Sequence, residues 1–164
     1  MKTLIVYYSL GGFTKSIVKK LAHGSGADIL ALHPVKEYPK EGAKRFMIGG
    51  RAALAGEKPK LQPYIFNAEK YGHIVIATPV WASSPTPPIR TFIMDNAEAL
   101  KGKTVSAIFT QLGNGAQKAE KKLCKALEIE RLNRSEVFFE PSKKDPHTEN
   151  EAKLEKVCGW LKND

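Results

Sequence analysis

The amino-acid sequence predicts a doubly wound α/β fold, a three-layer sandwich in which helices cover both faces of a five-stranded, largely parallel sheet. Five short apolar runs alternate with helical patterns along the chain, the order expected of successive strand–helix units. The strongest runs are apolar at successive positions, as strands buried on both faces are. The helical patterns are amphipathic. A length of 164 residues predicts a single domain over 1–164.

The elements follow in a regular order. Hydrophobic periodicity predicts strands at 3–8, 27–34, 73–80, 104–110 and 136–141. It predicts helices over 13–23, over 40–56, from Pro88, from 116 to about 127 and over 148–162. The helix over 40–56 has a basic, glycine-containing face, and residues 81–88 and 111–115 are predicted as loops.

Three loops are expected to carry the function, because ligands of doubly wound sheets bind outside the carboxyl ends of the strands. They are 9–14, 78–85 and 110–115, which follow the three most apolar strands. In the first loop, Gly11 and Gly12 let an anion approach the N-terminus of a helix. This loop matches neither the Walker pattern nor the dinucleotide fingerprint. It is a phosphate loop of another kind or a simple turn.

The other two loops offer an aromatic ring and neutral hydrogen-bonding groups. Trp81 either stacks on a planar ligand or covers the core, and the third loop, TQLGNG, provides polar groups that do not titrate. None of the three loops contains His, Asp, Glu, Cys or Lys. We therefore expect no catalytic side chain and no metal site, which suits a ligand that brings its own chemistry.

These three loops resemble those of the flavodoxins. VYYSLGGFTKSIVKKLA resembles the first phosphate loop and helix of that family. IVIATPVWASSPTPPIRTFI is similar to the second flavin loop, and KTVSAIFTQLGNGAQKAEKKL to the third. The resemblance implies a flavodoxin-like fold with strand order 2-1-3-4-5 and FMN as the cofactor.

The resemblance also implies which residues bind the cofactor. The FMN phosphate would be ringed by Ser9, Gly11, Gly12, Phe13 and Thr14. The ribityl chain and flavin ring would lie against Pro79, Val80, Trp81, Ala82 and Ser83. The remaining ring contacts would come from Thr110, Gln111, Leu112, Gly113 and Gly115. Gly11 and Phe13 replace the family's Thr and Asn, and the third loop has no aromatic residue, so one flavin face is expected to be open.

Three functions are consistent with the sequence. The first is an FMN-binding protein that carries electrons between redox partners. The alternative is an NAD(P)H-dependent oxidoreductase of the FMN or quinone type on the same fold. A further alternative is a binding module without flavin.

The net charge and the search for targeting signals give expectations for the protein's binding partners and its cellular location. The formal charge of +9 suits an acidic partner, whereas no motif for reading nucleic acid is present. One helix face is expected to dock an acidic redox partner, unless it is an ordinary solvated face; it carries Lys118, Lys121, Lys122 and Lys125. No apolar stretch is long enough for a bilayer span and no signal peptide is evident, so we expect a cytoplasmic location.

Overall fold

The structure, a computed structural model, describes residues 2–141 and 149–163. Its strands are β1 Lys2–Tyr7, β2 Asp28–Ala31, β3 Tyr71–Trp81, β4 Ser84–Pro85, β5 Thr104–Gln111 and β6 Ser135–Phe139. Its helices are α1 Phe13–Ser25, α2 Ala43–Leu54, α3 Pro87–Asp95, α4 Ala97–Leu100, α5 Ala116–Leu127 and α6 Asn150–Asn163. The predicted start of the last helix, residue 148, lies outside the described residues.

Five of the strands form a parallel sheet in the order β2-β1-β3-β5-β6. Numbered among themselves, these strands have the order 2-1-3-4-5, so the predicted fold class is confirmed. Tyr7 of β1 lies beside Ala77 of β3, and Pro79 of β3 lies beside Thr110 of β5. The carboxyl ends of β1, β3 and β5 therefore lie next to one another at the same end of the sheet.

Helices cover both faces of the sheet, and each face has its own apolar cluster. Successive side chains of a strand point to opposite faces, so Ile5 packs in one cluster and Val6 in the other. The Ile5 cluster contains residues of α1 and α6, such as Leu21 and Val157. The Val6 cluster contains residues of α2, α3 and α5. Residues of the three central strands are buried between these helix layers, which explains their apolar sequences.

A hairpin replaces part of the predicted loop over 81–88. Strand β3 continues to Trp81 and pairs antiparallel with β4, so that Trp81 lies opposite Ser84. Both turn residues, Ala82 and Ser83, have positive φ angles of 48° and 55°, the pattern of a type I′ turn. Such turns are usually signalled by Asn-Gly or Gly-Gly, so Ala-Ser leaves no sequence signal for this hairpin.

The remaining differences are small. The second strand covers four residues, 28–31, within the predicted 27–34, and the short helix α4 has no counterpart in the prediction. Within residues 2–141 and 149–163, no helix combines the length and hydropathy that a bilayer span requires. The single domain over 1–164 stays a prediction.

Candidate functional site

A cleft of about 250 Å³ lies where the carboxyl ends of β1, β3 and β5 meet. Residues of all three predicted loops line it, as expected from the parallel arrangement of the strands. Every predicted site residue lines the cleft except Gly12, Ser83 and Gly115. The structure therefore brings the three loops together, and their contacts with a cofactor stay a prediction.

The first loop ends at a helix N-terminus whose N-cap residue is a glycine. Gly12 is the N-cap of α1, with a φ of 96° and no side-chain capping hydrogen bond. The N–H groups of a helix's first turn have no carbonyl partner within the helix. One of them, at Lys15, donates to Ser9 Oγ at 3.2 Å. This geometry suits a bound anion, because the helix dipole and the remaining N–H groups both favour negative charge.

A buried hydrogen bond ties the first loop to the third. Thr14 Oγ1 lies 2.8 Å from Thr110 Oγ1, and both side chains are buried. The bond joins the first turn of α1 to the last part of β5. It links the two sides of the cleft, and it uses hydroxyls that the family resemblance assigned to the cofactor.

The second and third loops pack against each other through a glycine. A Cβ on Gly115, which has a φ of 109°, would lie 2.8 Å from Ser83 Oγ and 3.1 Å from its Cα. Gly115 and Ser83 therefore support the cleft instead of lining it. Lys122 Nζ also donates to the buried Ser84 Oγ at 2.6 Å, so that α5 is bonded to the hairpin.

Gln111 has a structural partner of its own. Its side-chain Oε1 accepts a hydrogen bond of 3.1 Å from the N–H of Ala116. The side chain thus satisfies an N–H group in the first turn of α5. Its amide nitrogen is available for a ligand, since no described residue accepts a hydrogen bond from it.

Trp81 forms one wall of the cleft within an aromatic group. Its ring packs edge-on against Tyr38, with centroids 5.2 Å apart, and against Tyr8, with centroids 5.8 Å apart. A Cβ on Gly49 of α2 would lie 3.0 Å from Trp81 Cε3, so α2 also lies directly against the ring. These contacts fix the orientation of Trp81 before any ligand binds. Its stacking on a flavin ring stays a prediction.

The tyrosines of this group are neutral at physiological pH. Burial raises the pKa of the Tyr8 hydroxyl far above its usual range, with a smaller contribution from Glu37. Burial and the charge of Glu57 raise the pKa of Tyr38 to about 12. Neither phenol therefore acts as a base near neutral pH.

Sequence reasoning missed six residues of the cleft, namely Leu10, Arg45, Phe46, Gly50, Asn114 and Glu140. Leu10 and Asn114 lie within the predicted loops but were assigned no contact. Arg45, Phe46 and Gly50 come from α2, whose basic, glycine-containing face was the available signal. Nothing in the sequence points to Glu140, which reaches the cleft because its N–H pairs with the Gln111 carbonyl at 2.9 Å.

Comparison with known proteins now identifies the family. The sequence model described as flavodoxin matches residues 2–148. The chain belongs to the flavodoxin family. No curated protein matches the chain.

Solved structures show the same fold at low sequence identity. A protein from Bacteroides eggerthii is 22% identical with a TM-score of 0.74, the match covering 98% of this chain and 95% of that one. A flavoprotein from Lactobacillus acidophilus, solved in complex with FMN, is 22% identical with a TM-score of 0.72, covering 83% and 92%. Two-electron reduced flavodoxin from Megasphaera elsdenii is 15% identical with a TM-score of 0.57, covering 99% of each chain.

We predict that Gly115→Ala destabilises this flavodoxin by about 2–4 kcal/mol, because alanine disfavours the left-handed conformation and its Cβ would collide with Ser83. Gly113→Ala in the same loop is the matched control, since its Cβ would meet nothing within 4 Å. We expect it to change stability by less than about 1 kcal/mol. Urea unfolding of both variants measures the difference, and equal midpoints would contradict the contact.

A second prediction concerns the contact between α2 and Trp81. Gly49→Ala should be less stable than Gly50→Ala by about 1–3 kcal/mol, because a Cβ at 49 overpacks the indole ring. A Cβ at 50 would lie 3.8 Å from the Ala82 Cβ, an ordinary contact, and replacing a helical glycine there should stabilise α2. Thermal unfolding of the two variants gives the comparison. A Gly49→Ala protein as stable as Gly50→Ala would show that α2 does not press on Trp81.

Proposed function

We propose that the cleft binds FMN and that the protein carries electrons between redox partners. The observation that carries this proposal is that three loops converge on one cleft at the carboxyl ends of the strands. None of these loops contains His, Asp, Glu, Cys or Lys. The FMN complex of the Lactobacillus acidophilus flavoprotein, which has the same fold, supports it. FMN supplies the redox chemistry when bound, so the protein's own residues need only bind, orient and shield it.

The residues of the cleft fit such a cofactor. The N-terminus of α1 suits the phosphate, because glycines there allow close approach and first-turn N–H groups donate. Trp81 offers an apolar ring to the planar part of the ligand. The Gln111 amide and the backbone of the third loop offer hydrogen bonds to its polar edge. Each of these groups is neutral, as the sequence predicts for the loops.

An NAD(P)H-dependent oxidoreductase is the second candidate, and one observation favours it. Leu112, in the loop where the family often has an aromatic residue, is 50% exposed. An aliphatic residue here would leave one face of the proposed flavin open to a nicotinamide, which hydride transfer requires. A binding module without flavin is the third candidate.

Three measurements on the purified protein separate these candidates. We expect the protein to take up FMN stoichiometrically and to show the visible spectrum of a bound flavin. In an anaerobic titration it should be reduced in two separable one-electron steps, with no turnover of NAD(P)H in the presence of a quinone. Rapid NAD(P)H turnover would favour the reductase, and a colourless protein that takes up no FMN would favour the binding module.

We further propose that the acidic redox partner docks beside the cleft on α5. Lys118, Lys121 and Lys125 are exposed on this helix, so their charges are available to a partner. Lys122 differs, because its ammonium group is bonded to Ser84. A change at Lys122 would therefore disturb the hairpin as well as the surface charge, and Lys118, in the first turn after the third loop, is the better probe.

The docking surface predicts an effect of charge on electron transfer. Using ferricyanide as an anionic oxidant of the reduced, FMN-loaded protein, we expect Lys118→Glu to slow oxidation about twofold or more at low salt, with the effect fading as salt rises. The control is Lys162→Glu, which makes the same charge change on α6, on the opposite face of the sheet. Equal rates for the two variants would exclude this face as the dock.

A further inference from the structure

Helix α2 supplies a charge that the first loop lacks. Arg45 lies in the first turn of α2 and lines the cleft. Its guanidinium Nη1 lies 3.9 Å from the position that a Cβ on Gly11 would occupy. A residue 34 positions further along the chain thus places a cation beside Gly11 of the proposed phosphate loop.

Arg45 has no acidic partner of its own. It forms no ion pair with any residue in the part of the chain that the structure describes. Its guanidinium carbon lies 4.7 Å from the centre of the neighbouring Phe46 ring, and its side chain is half-buried. The contact with Phe46 restricts the side chain, so a positive charge without a counterion is held at the cleft.

The charges of the cleft are separated by position. Glu140 is the acidic residue among the lining residues, and its backbone N–H pairs with Gln111 in the third loop. Arg45 lies at the first loop, beside Gly11. Lys15, although close in sequence, is exposed and does not line the cleft. An anionic group entering this cleft is therefore attracted to the first-loop side.

We propose that Arg45 binds the phosphate of FMN and makes the cleft select FMN over riboflavin. The inference rests on the proposed function, because it assumes that FMN is the ligand. An arginine forms charge-assisted hydrogen bonds with phosphate oxygens, and these are stronger than those from neutral donors. The hydroxyl contact that the family obtains from its Thr and this chain lacks at Gly11 is thereby replaced by a charged donor.

Binding of two ligands to wild type and to two variants at Arg45 tests the proposal. Dissociation constants for FMN and riboflavin are measured by flavin fluorescence with wild type, Arg45→Gln and Arg45→Lys. We expect Arg45→Gln to weaken FMN binding about tenfold or more, the range for a hydrogen bond to a charged group, and to leave riboflavin binding within about twofold. Arg45→Lys should recover part of the affinity for FMN, since it keeps the charge without the planar fork.

Arg51→Gln is the matched control. Arg51 lies in the last turn of the same helix, is exposed and does not line the cleft, so its replacement should leave both dissociation constants unchanged. Raising the salt concentration should weaken FMN binding by the wild type more than by Arg45→Gln. Thermal unfolding of the ligand-free variants checks that α2 is intact.

The outcomes distinguish the two levels of the proposal. If wild type binds neither FMN nor riboflavin, the proposed function fails. If wild type binds FMN but Arg45→Gln weakens FMN and riboflavin equally, or weakens neither, then the proposed function stands and the role of Arg45 is overturned. An Arg51→Gln variant that loses as much FMN affinity as Arg45→Gln would also overturn it, because the effect would then be one of net charge.

Discussion

The parallel register of β1, β3 and β5 is the constraint on which the rest of the structure depends. Hydrogen bonding between these neighbours places Tyr7 beside Ala77 and Ala77 beside Ile108, so the carboxyl ends of all three strands point to the same end of the sheet. Loops that are far apart in sequence then lie close together because the strands that precede them are neighbours in the sheet. The Thr14–Thr110 bond acts within this frame. It is short and buried because the strands have already brought the two hydroxyls into range.

The cleft also requires that neighbouring elements approach closely. Glycine allows this approach at two positions, Gly115 and Gly49. At Gly115 the backbone both adopts a left-handed conformation and touches Ser83, which lets the third loop close on the hairpin. At Gly49 the absence of a Cβ lets α2 lie on the indole of Trp81. A helix interior normally loses stability with glycine, so its presence in α2 is explained by packing against the ring and not by helix formation. The cleft wall is therefore built partly from positions that lack side chains.

Local sequence predicts the strands and the three loops because both depend on short-range patterns. The apolar runs specify strands buried between two helix layers, and the glycines and hydroxyls after them indicate the loops. The hairpin at Ala82 and Ser83 escapes this reasoning, since its left-handed residues are imposed by the pairing of Trp81 with Ser84. The position of Arg45 and Phe46 at the cleft could not be predicted in this way either. Their place at the cleft follows from how α2 packs on β3, a long-range arrangement that periodicity within 40–56 does not encode.

The weak burial of α2 gives a physical reason to connect it with the ligand. Of its twelve residues, Gly49 and Ala52 are buried, whereas the nine-residue α3 buries six. Phe46, Met47 and Leu54 are 61%, 72% and 69% exposed. Apolar burial thus contributes little to holding α2 against the sheet. A ligand that contacts both the first loop and Arg45 would add its own binding free energy to that attachment. The coupling would be reciprocal, so stronger packing of α2 on Trp81 would also strengthen the binding of such a ligand.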